Sequence, residues 1–250
     1  MIEEGLTDKV AIVTGASRGI GRAIVRRLVE SGAKVAFTYR ASEKAAEILH
    51  VSLQEEAGEV LSFQADARDF SRAGDVINQI TEKWSAPTIL VNNAATSRYG
   101  LFEQMSEEDW DYTIEGTLKV VFNYSRQVLP AMKELQTGSI INISSINGLR
   151  GREGSSAYSA AKAAINGLTR TLAREVGTCH IRVNAIAPGY VDTESQQATP
   201  ELIKKMVRQE CALSTFTQPE EIAELVALLA GDRGRQITGQ VLRIDAGQWV

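Results

Sequence analysis

Seven short apolar runs, rich in Val and Ile and set at fairly regular intervals, constrain the fold of this chain more than any other feature. They read KVAIVT at 9–14, KVAFTY at 34–39, EVLSFQ at 59–64, TILVNN at 88–93, SIINIS at 139–144, IRVNAIA at 181–187 and QVLRID at 240–245. Within each run apolarity is continuous rather than alternating, the pattern of strands buried on both faces, as in a parallel sheet. Charge-bearing segments with helical spacing lie between them. RAIVRRLVES at 22–31 puts Ile24, Leu28 and Val29 on one side and stops at Gly32, which suits a left-handed C-cap. EEIAELVALLA at 220–230 repeats the pattern with Ile222, Leu225, Val226 and Leu229, behind Pro219 in a helix-start position. The alternation predicts one doubly wound α/β domain over 1–250, with a parallel seven-stranded sheet and helices on both faces. The least regular segments, 94–104 and 188–202, flank strand ends, where such sheets hold ligands.

Composition removes several alternatives. The chain carries 27 basic and 31 acidic residues for a net charge of −4, without a Lys/Arg cluster, so no nucleic-acid partner is expected. No apolar run approaches bilayer length, and the acidic start MIEEGLTDK does not read as a secretory signal. A soluble cytoplasmic protein with no membrane partner is expected. Cys179 and Cys211 lack metal-ligand or framework spacing and read as free thiols in a reducing compartment, with no metal.

VTGASRGIGRAI follows the first strand and opens the first helix. Gly15, Gly19 and Gly21, with Ser17, Arg18 and Ile20 between them, form a loop where residues without a Cβ let a pyrophosphate reach backbone N–H groups at a positive helix end. That position predicts a Rossmann-type dinucleotide site. An acid closing the second strand would select NAD by binding the ribose 2′-hydroxyl, but FTYRAS places Tyr39 there and Arg40 beside it. Arg18 approaches the same pocket. Forked guanidinium donors suit a 2′-phosphate, so NADP(H) is the expected cofactor, against the alternative that both arginines are solvated loop residues.

TGASRGIG at 14–21, NNAA at 92–95, Ser145, YSAAK at 158–162 and PGYVDT at 188–193 occur in the order and spacing of the short-chain dehydrogenase/reductase family, which the whole chain resembles. It is most similar to the β-ketoacyl-(acyl-carrier-protein) reductase branch. The resemblance implies that Tyr158 is the general acid that protonates a carbonyl oxygen. Lys162, four residues on and so on the same helical face, would lower the phenol from its usual pKa of about 10 and bind the nicotinamide ribose. From the spacing alone, an ordinary Tyr and Lys on an amphipathic helix is the better reading, and the glycine loop upstream tips it to the catalytic one. Ser145, thirteen residues before Tyr158, would donate to the substrate carbonyl, or else serve as a turn serine, with Ser144 as its nearest competitor. Asp66 and Ala67 would face the adenine, Asn93 and Ala94 the ribose, and Pro188, Gly189, Val191 and Thr193 the nicotinamide. Asn93 could equally brace the sheet. A homotetramer is implied, with helices around 106–134 and 154–178 pairing between subunits. Ala160, Ala164 and Gly167 would allow close approach there, or pack inside one subunit.

Three departures from the family pattern stand out. Thr117 occupies the usual place of a fourth catalytic residue, an asparagine whose bent helix fixes a proton-relay water for the lysine. Gly116 beside it permits the same bend, so the relay is either preserved, or broken in a slow or non-catalytic NADP-binding relative. The arginines that dock an acidic carrier protein fall at Gln136 and Cys179, neither basic, with Arg98, Arg150 and Arg152 as substitutes. A small ketone or a coenzyme A thioester is thereby a better expectation than a carrier-bound acyl group. Ala95 replaces a usual glycine. The expected activity is NADPH-dependent reduction of a ketone, foremost a 3-oxoacyl thioester, with an NAD-dependent alcohol or sugar dehydrogenase as the alternative. The segment 190–213 is expected to cover the substrate.

Overall fold

In the computed structural model, which describes residues 5–56 and 58–250, all seven apolar runs form strands. They are β1 (Val10–Val13), β2 (Lys34–Tyr39), β3 (Val60–Gln64), β4 (Ile89–Asn92), β5 (Gly138–Ile143), β6 (Ile181–Pro188) and β7 (Val241–Ile244). All pairings are parallel, in the order β3-β2-β1-β4-β5-β6-β7. Winding proceeds outward from β1 to β3 and then resumes at β4 on the other side of β1. That reversal opens a crevice at the carboxyl ends of β1 and β4.

The helices are α1 (Gly19–Glu30), α2 (Glu43–Glu55), α3 (Phe70–Lys83), α4 (Glu107–Ile114), α5 (Val120–Leu135), α6 (Asn147–Arg150), α7 (Ser156–Val176), α8 (Glu201–Glu210) and α9 (Pro219–Ala230). They sort into two layers, which accounts for the continuous apolarity of the strands. Val13, Val35 and Phe37 point into a core shared with Ile24 and Leu28 of α1, Leu49 of α2, and Ile222 and Val226 of α9. Their neighbours Ile12 and Ala36 point into the opposite core, with Ile80 of α3, Tyr124 and Val128 of α5, and Ile165 of α7. Leu28 is fully buried, and truncating such a side chain to Ala costs about 2–5 kcal/mol.

The expected helix ends are present. Gly32 follows α1 at φ +83°, and Pro219 opens α9. The N–H of Gln218 donates to Glu221 Oε2 at 2.7 Å, closing a capping box. Segment 94–104 contains a single 3-10 turn at Phe102–Gln104, and segment 188–202 another at Glu194–Gln196. Among the described residues, no helix is long and apolar enough to cross a membrane.

Candidate active site

Tyr158 and Lys162 stand one turn apart on α7. Fully buried Ala157 and Ala161 seat this helix closely on the sheet, and α6 closes over it at Gly148, where a Cβ would lie 2.6 Å from the Lys162 backbone. The Lys162 side chain is consequently buried, and its Nζ donates to the carbonyl of Ile143 at 2.6 Å, where β5 ends. The next two residues divide their tasks. Ser144 turns back, donating to Asn166 Oδ1 at 2.7 Å, whereas Ser145 faces the cavity and lies within hydrogen-bonding reach of the Tyr158 hydroxyl. Ser144 also touches the cavity wall, so what sets Ser145 apart is its reach to the Tyr158 hydroxyl. The cavity measures about 640 Å³, and Ser145, Tyr158, Lys162, Asn93, Gly189 and Tyr190 form part of its wall.

The electrostatics differ from the expected lowering of the phenol. Burial first, then the neighbouring Tyr99, push the Tyr158 pKa up, and Ser145 offsets this in part. Burial pushes Lys162 down to about 7. Its Nζ is 5.5 Å from the Tyr158 ring centroid, and a half-neutral amine at that distance cannot outweigh desolvation of the phenol.

The bend expected at Thr117 is present as a π-helical turn, Glu115–Lys119, between α4 and α5. Such turns are rare and frequent at functional sites. Thr96 staples it to the end of β4. Its N–H donates to the Gly116 carbonyl at 3.1 Å, and its own carbonyl accepts the Thr117 hydroxyl at 2.6 Å. A Cβ on Gly116 would fall 1.7 Å from Thr96 Oγ1, so any side chain there would force Thr96 to rotate.

The glycine loop has the shape of a phosphate cradle. Gly15 at φ +63° and Gly19 at φ +55° occupy backbone that favours glycine, and Cβ atoms at Gly15 and Gly21 would lie 2.8 and 2.6 Å from Ala94 and Ala16 Cα. A second cavity, about 210 Å³, contains Gly15, Ser17, Arg18, Tyr39, Arg40 and Ala94, and meets the first at Ala95. Asp66 and Ala67 also line it, while Ile20, Pro188, Val191 and Thr193 line the larger cavity. Asn93 braces the loop, with Nδ2 donating to the Thr14 and Gly15 carbonyls at 2.9 and 3.0 Å. Asn93 thus braces this strand end while also forming part of the larger cavity's wall.

Several residues here escaped the sequence reading. Thr14 Oγ1 accepts the N–H groups of both Asn93 and Ala94 at 3.0 Å, fixing the β1 and β4 ends together. Arg68 grips Asp66 with two nitrogens, at 3.0 and 2.6 Å, and this pairing is the largest influence holding the Asp66 carboxyl below its ordinary range. Tyr112 of α4 lies between Arg68 and Arg98, 5.7 and 4.5 Å from its ring centroid, and receives Arg40 Nη2 on its hydroxyl at 3.5 Å. Arg40 lowers the Tyr112 pKa. Two further guanidinium groups thus stand near the smaller cavity beside Arg18 and Arg40, each matched by a carboxylate. A signal existed in DARD, whose arginine lies two residues past the strand-end acid.

Of the substitutes for docking arginines, Arg98 is bound by Glu108 and Asp109 at 3.0 and 2.7 Å, and Arg150 by Glu210 at 3.4 Å. Arg152 lies exposed at the mouth of the larger cavity. Gln136 and Cys179 lie at the end of α5 and just after α7, on the opposite side of the sheet from the cavity, where the β5 and β6 strands begin.

This geometry has close counterparts. A family model described as Enoyl-(Acyl carrier protein) reductase matches residues 15–248. A 3-oxoacyl-[acyl-carrier-protein] reductase of Staphylococcus epidermidis is 36% identical over 97% of this chain and 100% of its own. The Thermotoga maritima enzyme of the same name is 37% identical, with 97% and 98% covered. A solved Serratia marcescens short-chain dehydrogenase/reductase, carrying two phenylalanine substitutions, superposes with a TM-score of 0.92 at 38% identity, covering 97% of this chain and 98% of its own. With the cradle, the Ser–Tyr–Lys cluster and the sheet order on one chain, the protein belongs to the short-chain dehydrogenase/reductase family of oxidoreductases.

Proposed function

We propose that this protein is an NADPH-dependent ketoreductase acting on a 3-oxoacyl thioester. The observation that carries the reading is the convergence of two hydroxyls, Ser145 and Tyr158, at one point of the larger cavity, directly above a buried amine. Two converging donors fit one carbonyl oxygen that gains negative charge. NADPH, when bound, would supply the hydride for the carbonyl carbon. Ser145 donates a hydrogen bond to the oxygen, and Tyr158 gives it the phenolic proton. Lys162 stands below, placed by Ile143 to donate to ribose hydroxyls and, when protonated, to favour the phenolate that remains.

Gly15, Ser17 and Gly19 would hold the pyrophosphate, with Arg18, Arg40 and Arg68 around the adenosine end. The absence of an acid at Tyr39 and the cationic surroundings of Tyr112 support NADPH over NADH. The names of the curated relatives favour carrier-bound 3-oxoacyl groups. The paired state of Arg98 and Arg150 instead favours a free or coenzyme A thioester in this chain, whereas Gln136 and Cys179, lying far from the cavity, bear on neither. We further propose a homotetramer. Ala160, Ala164 and Gly167 lie exposed along one α7 face, and a Cβ at Gly167 would meet nothing within 4 Å. Reduction of acetoacetyl-coenzyme A and of its carrier-protein ester, each with NADPH and with NADH, tests the reading. Preference for NADPH and turnover of the coenzyme A ester support it, and failure on both esters contradicts it.

A further inference from the structure

We propose that Glu194 is an intramolecular competitor for the dinucleotide's pyrophosphate, latching the segment after β6 across the N-terminus of α1 until the cofactor displaces it. The inference rests on the dinucleotide reading above and adds a residue that sets cofactor affinity.

Glu194 opens the short turn Glu194–Gln196, on the segment expected to cover the substrate. Its carboxylate pairs with Arg22 of α1 and lies beside the backbone of Gly19. The approach is close: a Cβ on Gly19 would lie 3.5 Å from Thr193 Cγ2 and 3.9 Å from Glu194 Oε2. The N–H groups of the first helical turn have no partner inside the helix and carry its positive end, so they attract an anion. The first turn of α1 has no acidic residue of its own, so Glu194 supplies that anion from the other end of the domain. Burial by itself would raise the Glu194 pKa, but its own N–H, Arg22 and the Gly19 N–H together hold it below the ordinary carboxylate range. It is therefore ionised at neutral pH.

The Gly15–Gly21 loop offers those same donors to a pyrophosphate. Two anions cannot accept one N–H, and their mutual repulsion adds to the exclusion. Cofactor binding must therefore break the contact of Glu194 with Gly19. Thr193 is the adjacent residue, so the displacement moves a segment that also lines the substrate cavity. Apparent cofactor affinity is reduced by the fraction of molecules that are latched. A partly exposed ion pair beside the helix N-terminus should lower it by about three- to tenfold.

Glu194→Gln keeps the size of the side chain and removes its charge, and direct titration compares it with wild type for three ligands. NADPH and NADH should both bind about three- to tenfold more tightly to the variant, because they share the pyrophosphate. Adenosine 2′-monophosphate, which lacks the pyrophosphate, should bind both proteins equally. Unchanged or weaker binding of the dinucleotides by the variant overturns the proposal. So does an equal gain for adenosine 2′-monophosphate, which would mark a general charge effect. If wild type and variant both fail to bind either dinucleotide, the underlying cofactor reading falls, and the latch falls with it.

Discussion

Lys162 Nζ lies 2.6 Å from the Ile143 carbonyl, so the amine of α7 is tied to the end of β5, two residues before Ser145. One strand end thereby positions both the Ser145 hydroxyl and the buried amine beside the Tyr158 ring. This tie keeps the amine in a buried place, which has a consequence for stability. Lys162 titrates at about 7 instead of its ordinary 10.5. Between those values the unfolded chain holds a proton that the folded chain does not, so this group makes folding stability rise with pH. Denaturant unfolding at neutral and mildly alkaline pH should show that rise in wild type. Lys162→Met should lack this contribution.

Ser145→Ala removes one donor to the developing oxyanion and leaves the cofactor cradle intact. kcat/KM for the thioester should fall by about 10²- to 10³-fold, with NADPH affinity unchanged. Steady-state kinetics beside NADPH titration check this. Ser144→Ala should instead act on stability, because Ser144 bonds to Asn166 within the protein.

Arg40 approaches both the nucleotide cleft and Tyr112. Arg40→Ala should weaken NADPH by about ten- to a hundredfold, as expected for losing hydrogen bonds to a charged group, while NADH changes little. Titration with both dinucleotides measures the ratio.

Gly116→Ala places a methyl group against Thr96 Oγ1, 1.7 Å away before relaxation. The rotation Thr96 must make breaks its 3.3 Å hydrogen bond to the Tyr112 carbonyl. We expect a loss of about 1–3 kcal/mol, read from chemical denaturation, together with weaker NADPH binding because Gly116 lines the nucleotide cleft.

Ala164→Arg puts a long charged side chain on the exposed small-residue face of α7. Sedimentation should show loss of the tetramer in favour of smaller species. An unaltered tetramer would place the subunit contact elsewhere.

Much of this was legible in the sequence, for identifiable reasons. Strands buried on both faces need continuous apolarity, so all seven runs marked themselves, and the glycine loop follows directly from the steric needs of Gly15 and Gly21. Helical spacing put Tyr158 and Lys162 of YSAAK on one face, but the family resemblance and the glycine loop, not that spacing, singled them out as a candidate catalytic pair. What stayed hidden depends on contacts between distant segments. Thr14 and Thr96 act by joining β1 and the π-helical turn to the β4 end, and neither hydroxyl has a local signature. Arg68 and Tyr112 meet only because α4 packs beside the segment that follows β3. Burial of Tyr158 and Lys162 reverses the simple expectation for the phenol, and desolvation is a property of the folded surroundings.

The most direct test follows NADPH consumption with an acetoacetyl thioester for wild type and Tyr158→Phe. The phenylalanine keeps the ring and removes the proton donor. The account predicts turnover by wild type and a loss of about 10²- to 10⁴-fold in the variant, with NADPH binding retained. Equal rates for the two proteins would contradict the assignment of Tyr158 as the acid. Tight NADPH binding by wild type with no turnover of the thioester would contradict the proposed substrate class.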